Sequence, residues 1–149
     1  CGLLAADAGR VRVLGRDPTA LAGTTGLNRV FAIDVDGFAV GAIGVRPGED
    51  VNRLTAEIGY WLGEEYWGRG IATEAVEAVT RYAFDTLGMA RVYADVFEWN
   101  AASMRVLEKA GFSREGVLRA SAVKDRQIVD QVVYGRVNPH AVVPRAGTP

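Results

Sequence analysis

Hydrophobic and polar positions divide most of the chain into short strands and two helices. Val30 to Val35 and Phe38 to Val45 are rich in β-formers and are separated by Asp36-Gly37, the two-residue signal for a type I′ turn, so they predict a hairpin. Thr55 to Leu62 (TAEIGYWL) is a further strand, set off by the turn-rich stretch Pro47 to Asn52 and by Gly63. From Ile71 to Leu87 the apolar residues fall at 71, 72, 75, 76, 79, 82, 83 and 87, while Glu74, Glu77, Arg81 and Asp85 take the other face. That stripe predicts an amphipathic helix closed by Gly88. Arg91 to Phe97 (RVYADVF) is the next strand. A helix of Ala101 to Ala110 follows, with Asn100 as N-cap and Gly111-Phe112 as its glycine stop. Val117 to Val123 and Ile128 to Arg136 flank the polar turn Lys124-Asp125-Arg126 and predict a closing hairpin.

A strand, a helix and a strand in succession form a right-handed crossover, so Thr55–Leu62 and Arg91–Phe97 are expected to run parallel in one sheet. The 149 residues fit one α/β (α+β) domain, expected as a poorly patterned part at 1–29, a core at 30–137 and a tail at 138–149. With 17 basic against 18 acidic residues, the charge gives no case for nucleic acid or an anionic membrane surface. No apolar run approaches the roughly 18 to 20 residues of a membrane helix. Cys1 is the single cysteine, which excludes an internal disulfide and makes a cytoplasmic location the simplest expectation. The one histidine, His140, sits in the Pro, Gly and Ala-rich tail and is expected to be solvated, so no metal is expected. The start at Cys1, without the charged and apolar regions of a leader, suggests truncation or processing.

Between Leu62 and Ile71 lies Gly63-Glu-Glu-Tyr-Trp-Gly-Arg-Gly70. Glycines let a backbone approach a ligand closely, and a helix start adds unpaired N–H groups and a positive dipole end, so the segment predicts a phosphate site. A P-loop fits poorly, because Arg69 stands in the lysine position and Gly70 where a Ser or Thr should bind magnesium. A dinucleotide fingerprint fits poorly as well: Thr73 takes the third glycine position, and one crossover is too few.

Tyr66-Trp-Gly-Arg-Gly-Ile-Ala72, preceded by Glu57-Ile-Gly-Tyr-Trp-Leu62 and followed by Asn100-Ala-Ala-Ser103 and Lys109-Ala-Gly-Phe112, resembles the GNAT superfamily of N-acetyltransferases, in its ribosomal-protein (RimJ/RimL-like) branch. The likeness spans about residues 30 to 137. It implies a mixed, mostly antiparallel sheet with helices on both faces and a splayed parallel strand pair. It further implies an acetyl-CoA site. The main chain of Trp67, Gly68, Arg69, Gly70, Ile71, Ala72 and Thr73 would hold the pyrophosphate, with Trp67 replacing the usual Gln or Arg. Exposed backbone near Trp61 and Leu62 would pair with pantetheine, and an N–H there would polarise the thioester carbonyl. Asn100 would both cap its helix and touch CoA.

By the same resemblance Glu57 stands where a carboxylate serves as general base, against a plain solvent-facing salt bridge. Ser103 would hydrogen bond or protonate the CoA sulfur, against ordinary helix-start chemistry. Many relatives place an acid tyrosine seven residues after the asparagine, but here Leu107 stands there. Tyr60, Trp61, Tyr66, Trp67 and Trp99 crowd the mouth, with one or two expected to touch the amine, and Tyr134 is expected to be structural. The implied activity is transfer of acetyl to a primary amine, first of all a protein or peptide α-amine. Small-molecule amines, a non-catalytic acyl-CoA-binding module and a purely structural domain remain open, as does a homodimer.

Overall fold

A computed structural model of the chain describes residues 11–14 and 28–141. Its elements are β1 (Val11–Leu14), β2 (Arg29–Val35), β3 (Phe38–Pro47), β4 (Thr55–Leu62), α1 (Ile71–Asp85), β5 (Arg91–Phe97), α2 (Ala101–Lys109), β6 (Ser113–Lys124) and β7 (Gln127–Val137). The strands form one sheet in the order β1-β2-β3-β4-β5-β7-β6. Every neighbouring pair is antiparallel except β4 and β5, which run parallel as the crossover requires.

Local chemistry accounts for the boundaries. Asp36 (φ 53°) and Gly37 (φ 89°) both take positive φ in the β2–β3 turn, as a type I′ turn demands. The closing hairpin turns on Asp125 and Arg126 alone (φ 51° and 64°), so Lys124 belongs to β6. β6 also begins at Ser113, four residues before the expected Val117, because its exposed first residues carry no alternation that marks them. The first helix ends two residues early: Gly88 (φ 68°) turns the chain, and Met89 N–H reaches back to Ala83 O at 2.9 Å, the long bond of a glycine C-cap.

Most of the 1–29 segment lies outside the described residues. Within it, Val11–Leu14 is a strand that the sequence signals only weakly. It pairs with β2, and Val11 and Val13 are buried.

One face of the sheet carries Val13, Phe31, Ile33, Ile43, Val45, Ala56, Ile58, Val92, Ala94, Val96 and Val132, all buried. Over it lies α1, with Ile71, Ala75, Val76, Val79, Tyr82 and Ala83 inward, and the Tyr82 ring meets Phe31 edge-on at 5.6 Å. Fully burying one such aliphatic side chain contributes about 1.5–3 kcal/mol, so this layer supplies most of the stability. α2 packs on the same face: Leu107 is buried, Tyr134 Oη donates to Glu108 Oε1 (2.9 Å), and Arg136 donates to Ala110 O (2.9 Å). Tyr134 is thereby structural, as expected. Helices were expected on both faces; among the described residues both α-helices lie on this one face.

β3 and β4 approach closely at Gly41, where a Cβ would collide with the carbonyl oxygen of Trp61. Because the obstacle is backbone, Gly41→Ala is expected to destabilise the fold by about 1–3 kcal/mol. Thermal unfolding measures this, and an unchanged Tm would contradict the packing of β3 on the end of β4.

Candidate active site

The parallel pair is short. Thr55, Ala56 and Glu57 register with Arg91, Val92 and Tyr93, and there the pairing stops. Beyond it β4 is held by β3 as far as Leu62, and β5 by β7 as far as Phe97, leaving a slot between Ile58–Leu62 and Ala94–Phe97. In an antiparallel ladder, alternate residues turn their N–H and C=O to opposite sides. Gly63 N–H bonds Val40 O and Gly48 N–H bonds Thr55 O, both at 2.8 Å, so the odd-numbered residues of β4 face β3. Tyr60 and Leu62, beyond the last bridge at Glu57 and Tyr93, therefore face the slot. The main chain of Leu62 is turned to the slot, as is that of Tyr60, while the main chain of Trp61 is turned into the ladder. The Leu62 carbonyl already accepts from Trp67 Nε1 at 2.9 Å, which leaves its N–H facing the slot.

After β4 the chain makes a 3₁₀ turn, Glu64–Tyr66, that consumes Trp67 N–H in a 3.1 Å bond to Glu64 O. The Trp67 amide is thus already bonded within the chain. The series starts one residue later: the amides of Gly68, Arg69, Gly70, Ile71, Ala72 and Thr73 have no acceptor among the described residues. Gly68 (φ 73°) and Gly70 (φ 76°) sit in the left-handed region, and no side chain caps α1. Six free donors thus meet the positive end of a 15-residue helix, an arrangement suited to an anion. The Arg69 guanidinium lies 5.5 Å from the centre of the Tyr66 ring, close to that loop.

On the helix side of the slot, Asn100 Oδ1 accepts Ser103 N–H at 3.1 Å, the N-cap bond expected of it. Capping therefore engages the serine's amide and leaves its hydroxyl for another partner. That partner is Tyr60, whose Oη lies 2.7 Å from Ser103 Oγ. Leu107, seven residues after Asn100, is wholly buried, so α2 offers no phenol there. Trp99 stacks on Phe97 at 5.0 Å, and Trp61 and Trp67 are largely exposed.

On the other side stand two carboxylates. Glu57 occupies the last paired position, at the vertex where β4 and β5 part, and forms an ion pair with Arg46. Asp95, two residues beyond Tyr93 and on the same side as Glu57, has its Oδ1 buried without a hydrogen-bond partner. Burial raises the Asp95 pKa, Glu57 raises it further, and Arg91 opposes both. Tyr93 is pushed up as well, first by burial, then by Glu57 and Asp95, against Arg46 and Arg91. The sequence motifs do not single out Asp95. Its signal was available in the alternation of β5, where Arg91, Tyr93, Asp95 and Phe97 oppose the buried Val92, Ala94 and Val96. Glu57 and Ser103 thus flank the slot from opposite sides.

Residues 13–113 match the family described as acetyltransferase (GNAT) domain, and the chain belongs to it. It is 46% identical over 85 residues to "Probable N-acetyltransferase YjcK" of Bacillus subtilis, covering 57% of this chain and 47% of that protein. It is 30% identical over 112 residues to "Ribosomal-protein-serine acetyltransferase" of Escherichia coli, covering 75% and 62%. Among solved structures, Mycobacterium smegmatis RimJ in complex with CoA-disulfide superposes with a TM-score of 0.70 at 30% identity, over 74% of this chain and 53% of that one. The chain spans about half the length of such relatives as YjcK.

The raised pKa of Asp95 makes its ionised form a cost to the fold. Below both pKa values the carboxyl is neutral in the folded and unfolded states alike. As pH rises from the ordinary aspartate range through the raised value, the unfolded chain releases its proton first and stability is lost. Asp95→Asn is expected to raise Tm at pH 7, with a gain that shrinks in acid below the ordinary aspartate range. An equal change at both pH values would contradict the assignment.

Proposed function

We propose that the chain catalyses transfer of acetyl from acetyl-CoA to a primary amine, within a complex that holds both substrates at once. The observation that carries this reading is the run of six unpartnered amides, Gly68 to Thr73, beside a slot where two parallel strands separate. A diphosphate fits the amides, and an extended pantetheine arm fits the slot-facing backbone of Tyr60 and Leu62. Leu62 N–H would polarise the thioester carbonyl, since such a fixed donor stabilises the oxygen as it gains charge. Asn100 would contact the same cosubstrate beside its cap.

In the reaction the amine nitrogen bonds to the carbonyl carbon, the C–S bond breaks, the nitrogen gives up a proton and the sulfur takes one. Glu57 is the proposed base, direct or through water, with Asp95 beside it as a second acceptor whose raised pKa makes it hold a proton more tightly than an ordinary aspartate. Ser103, across the slot, is the proposed donor toward sulfur. Attack and departure at a carbonyl carbon use separate positions, which agrees with base and donor on opposite sides of the slot.

The amine is proposed to be the α-amine of a protein or peptide. Such an amine, with a pKa of about 7.7 to 8.0, is roughly a tenth neutral at pH 7; a lysine-like amine is about 3.4 kcal/mol worse. The names of the Escherichia coli relative and of RimJ are in keeping with this choice. A second reading, a small-molecule amine, draws on Glu57 and Asp95 as two carboxylates on one side of the slot that could accept an ammonium group. It also draws on the neighbour described as microcin C7 self immunity acetyltransferase MccE in complex with acetyl-CoA and AMP (TM-score 0.69, 27% identity, 74% of this chain and 61% of that one).

A thiol-release assay with acetyl-CoA and a panel of free-N-terminal peptides, polyamines, amino acids and aminoglycosides tests the reading. Release is expected with peptides, and Glu57→Gln is expected to lower kcat/KM by about a hundredfold while steepening its dependence on high pH. Binding of acetyl-CoA without thiol release by any amine would identify an acyl-CoA-binding module instead. Full activity of the Glu57→Gln variant across pH would remove Glu57 from the mechanism.

A further inference from the structure

We propose that Tyr60 is a positioning residue for Ser103: its phenol donates to Ser103 Oγ, so that the serine's own hydrogen is left to point toward the departing sulfur. This rests on the acetyl-transfer reading above and adds a residue to it.

The contact joins two parts of the chain that share no main-chain hydrogen bond at this level. Tyr60 lies on β4 beyond the last residue paired with β5, and Ser103 lies in the first turn of α2, which continues from the far end of β5. The 2.7 Å bond between their hydroxyls thus bridges the helix side of the slot. Tyr60 Oη also lies 3.3 Å from the Ser103 carbonyl oxygen, beyond the usual O–H···O range, so the nearer Oγ is the better acceptor for its single hydrogen.

The direction of that hydrogen bond follows from acidity. A phenol, with a pKa of about 10, is a far stronger donor than an aliphatic alcohol, and the alcohol oxygen is the better acceptor. Burial raises the Tyr60 pKa against the opposing effect of the Ser103 hydrogen bond, and the net upward direction keeps its hydrogen in place. The Ser103 amide is already fixed by Asn100 Oδ1, so both hydrogen bonds converge to hold one rotamer of the serine. With Leu107 buried and apolar, the phenol beside Ser103 comes from β4.

A merely structural tie between β4 and α2 predicts a different outcome, and a mutant cycle separates the two. Tyr60→Phe removes only the hydroxyl. It is expected to lower kcat by about fivefold, the worth of one hydrogen bond, with KM for acetyl-CoA unchanged. In a Ser103→Ala background, Tyr60→Phe is expected to cause no further fall in kcat, whereas Ser103→Thr, which keeps a hydroxyl, should restore the dependence on Tyr60. Wild-type kcat for Tyr60→Phe overturns the proposal, as does an equal fall in kcat with Ser103 intact and in the Ser103→Ala background, which marks a tie only. Titration of the wild-type protein with acetyl-CoA is run alongside: failure to bind overturns the acetyl-transfer reading itself, while retained binding and turnover confine any failure to Tyr60.

Discussion

The organisation of this molecule depends on a parallel strand pair that is hydrogen bonded for three residues and then comes apart. A fully zipped β4–β5 pair would satisfy its own backbone and leave no edge to offer. Here β3 holds one strand and β7 the other, so the backbone groups of Tyr60 and Leu62 face an opening rather than a neighbour. Unpaired backbone inside a sheet is costly unless water or a ligand completes it. The layer of α1 over Ile58, Val92 and Ala94 holds the paired end together and fixes the vertex, and with it the position of Glu57.

The same sheet aims the glycine loop. β4 ends at Leu62, the 3₁₀ turn spends Trp67 N–H, and the two positive-φ glycines deliver the chain into α1 with six amides unspent. Glycine at 68 and 70 is required by φ rather than by crowding, since a Cβ at either would meet nothing within 4 Å. Anion donors, slot, carboxylates and the Ser103 hydroxyl therefore lie along one continuous stretch of β4, α1, β5 and α2. The supply of groups matches a reaction that needs a held anion, a polarised carbonyl, a proton acceptor and a proton donor.

Much of this was legible in the residues. β4 and β5 begin and end where their apolar runs do, and both hairpins follow from Asp36-Gly37 and from the polar turn before Gln127. Other features were not legible, for physical reasons. β1 is four residues long and gains its stability from Val11 and Val13 against α1 and β2, so it has little signal of its own. Which residues of β4 face the slot depends on ladder parity, which turned Trp61 into β3 and brought Tyr60 to the edge. Trp67 N–H was spent by a local turn that periodicity does not register. Asp95 owes its perturbed carboxyl to burial and to Glu57 on a strand that is distant in sequence.

On the proposed reading, the main chain from Gly68 to Thr73 holds a diphosphate at the entrance to the slot. Amide chemical shifts recorded by NMR while coenzyme A is titrated into the protein address it most directly. The N–H signals of Gly68, Arg69, Gly70, Ile71, Ala72 and Thr73 are expected to move together and saturate, with Trp67 N–H, already bonded to Glu64, moving least in that loop. Saturating coenzyme A that leaves those six signals in place would contradict it.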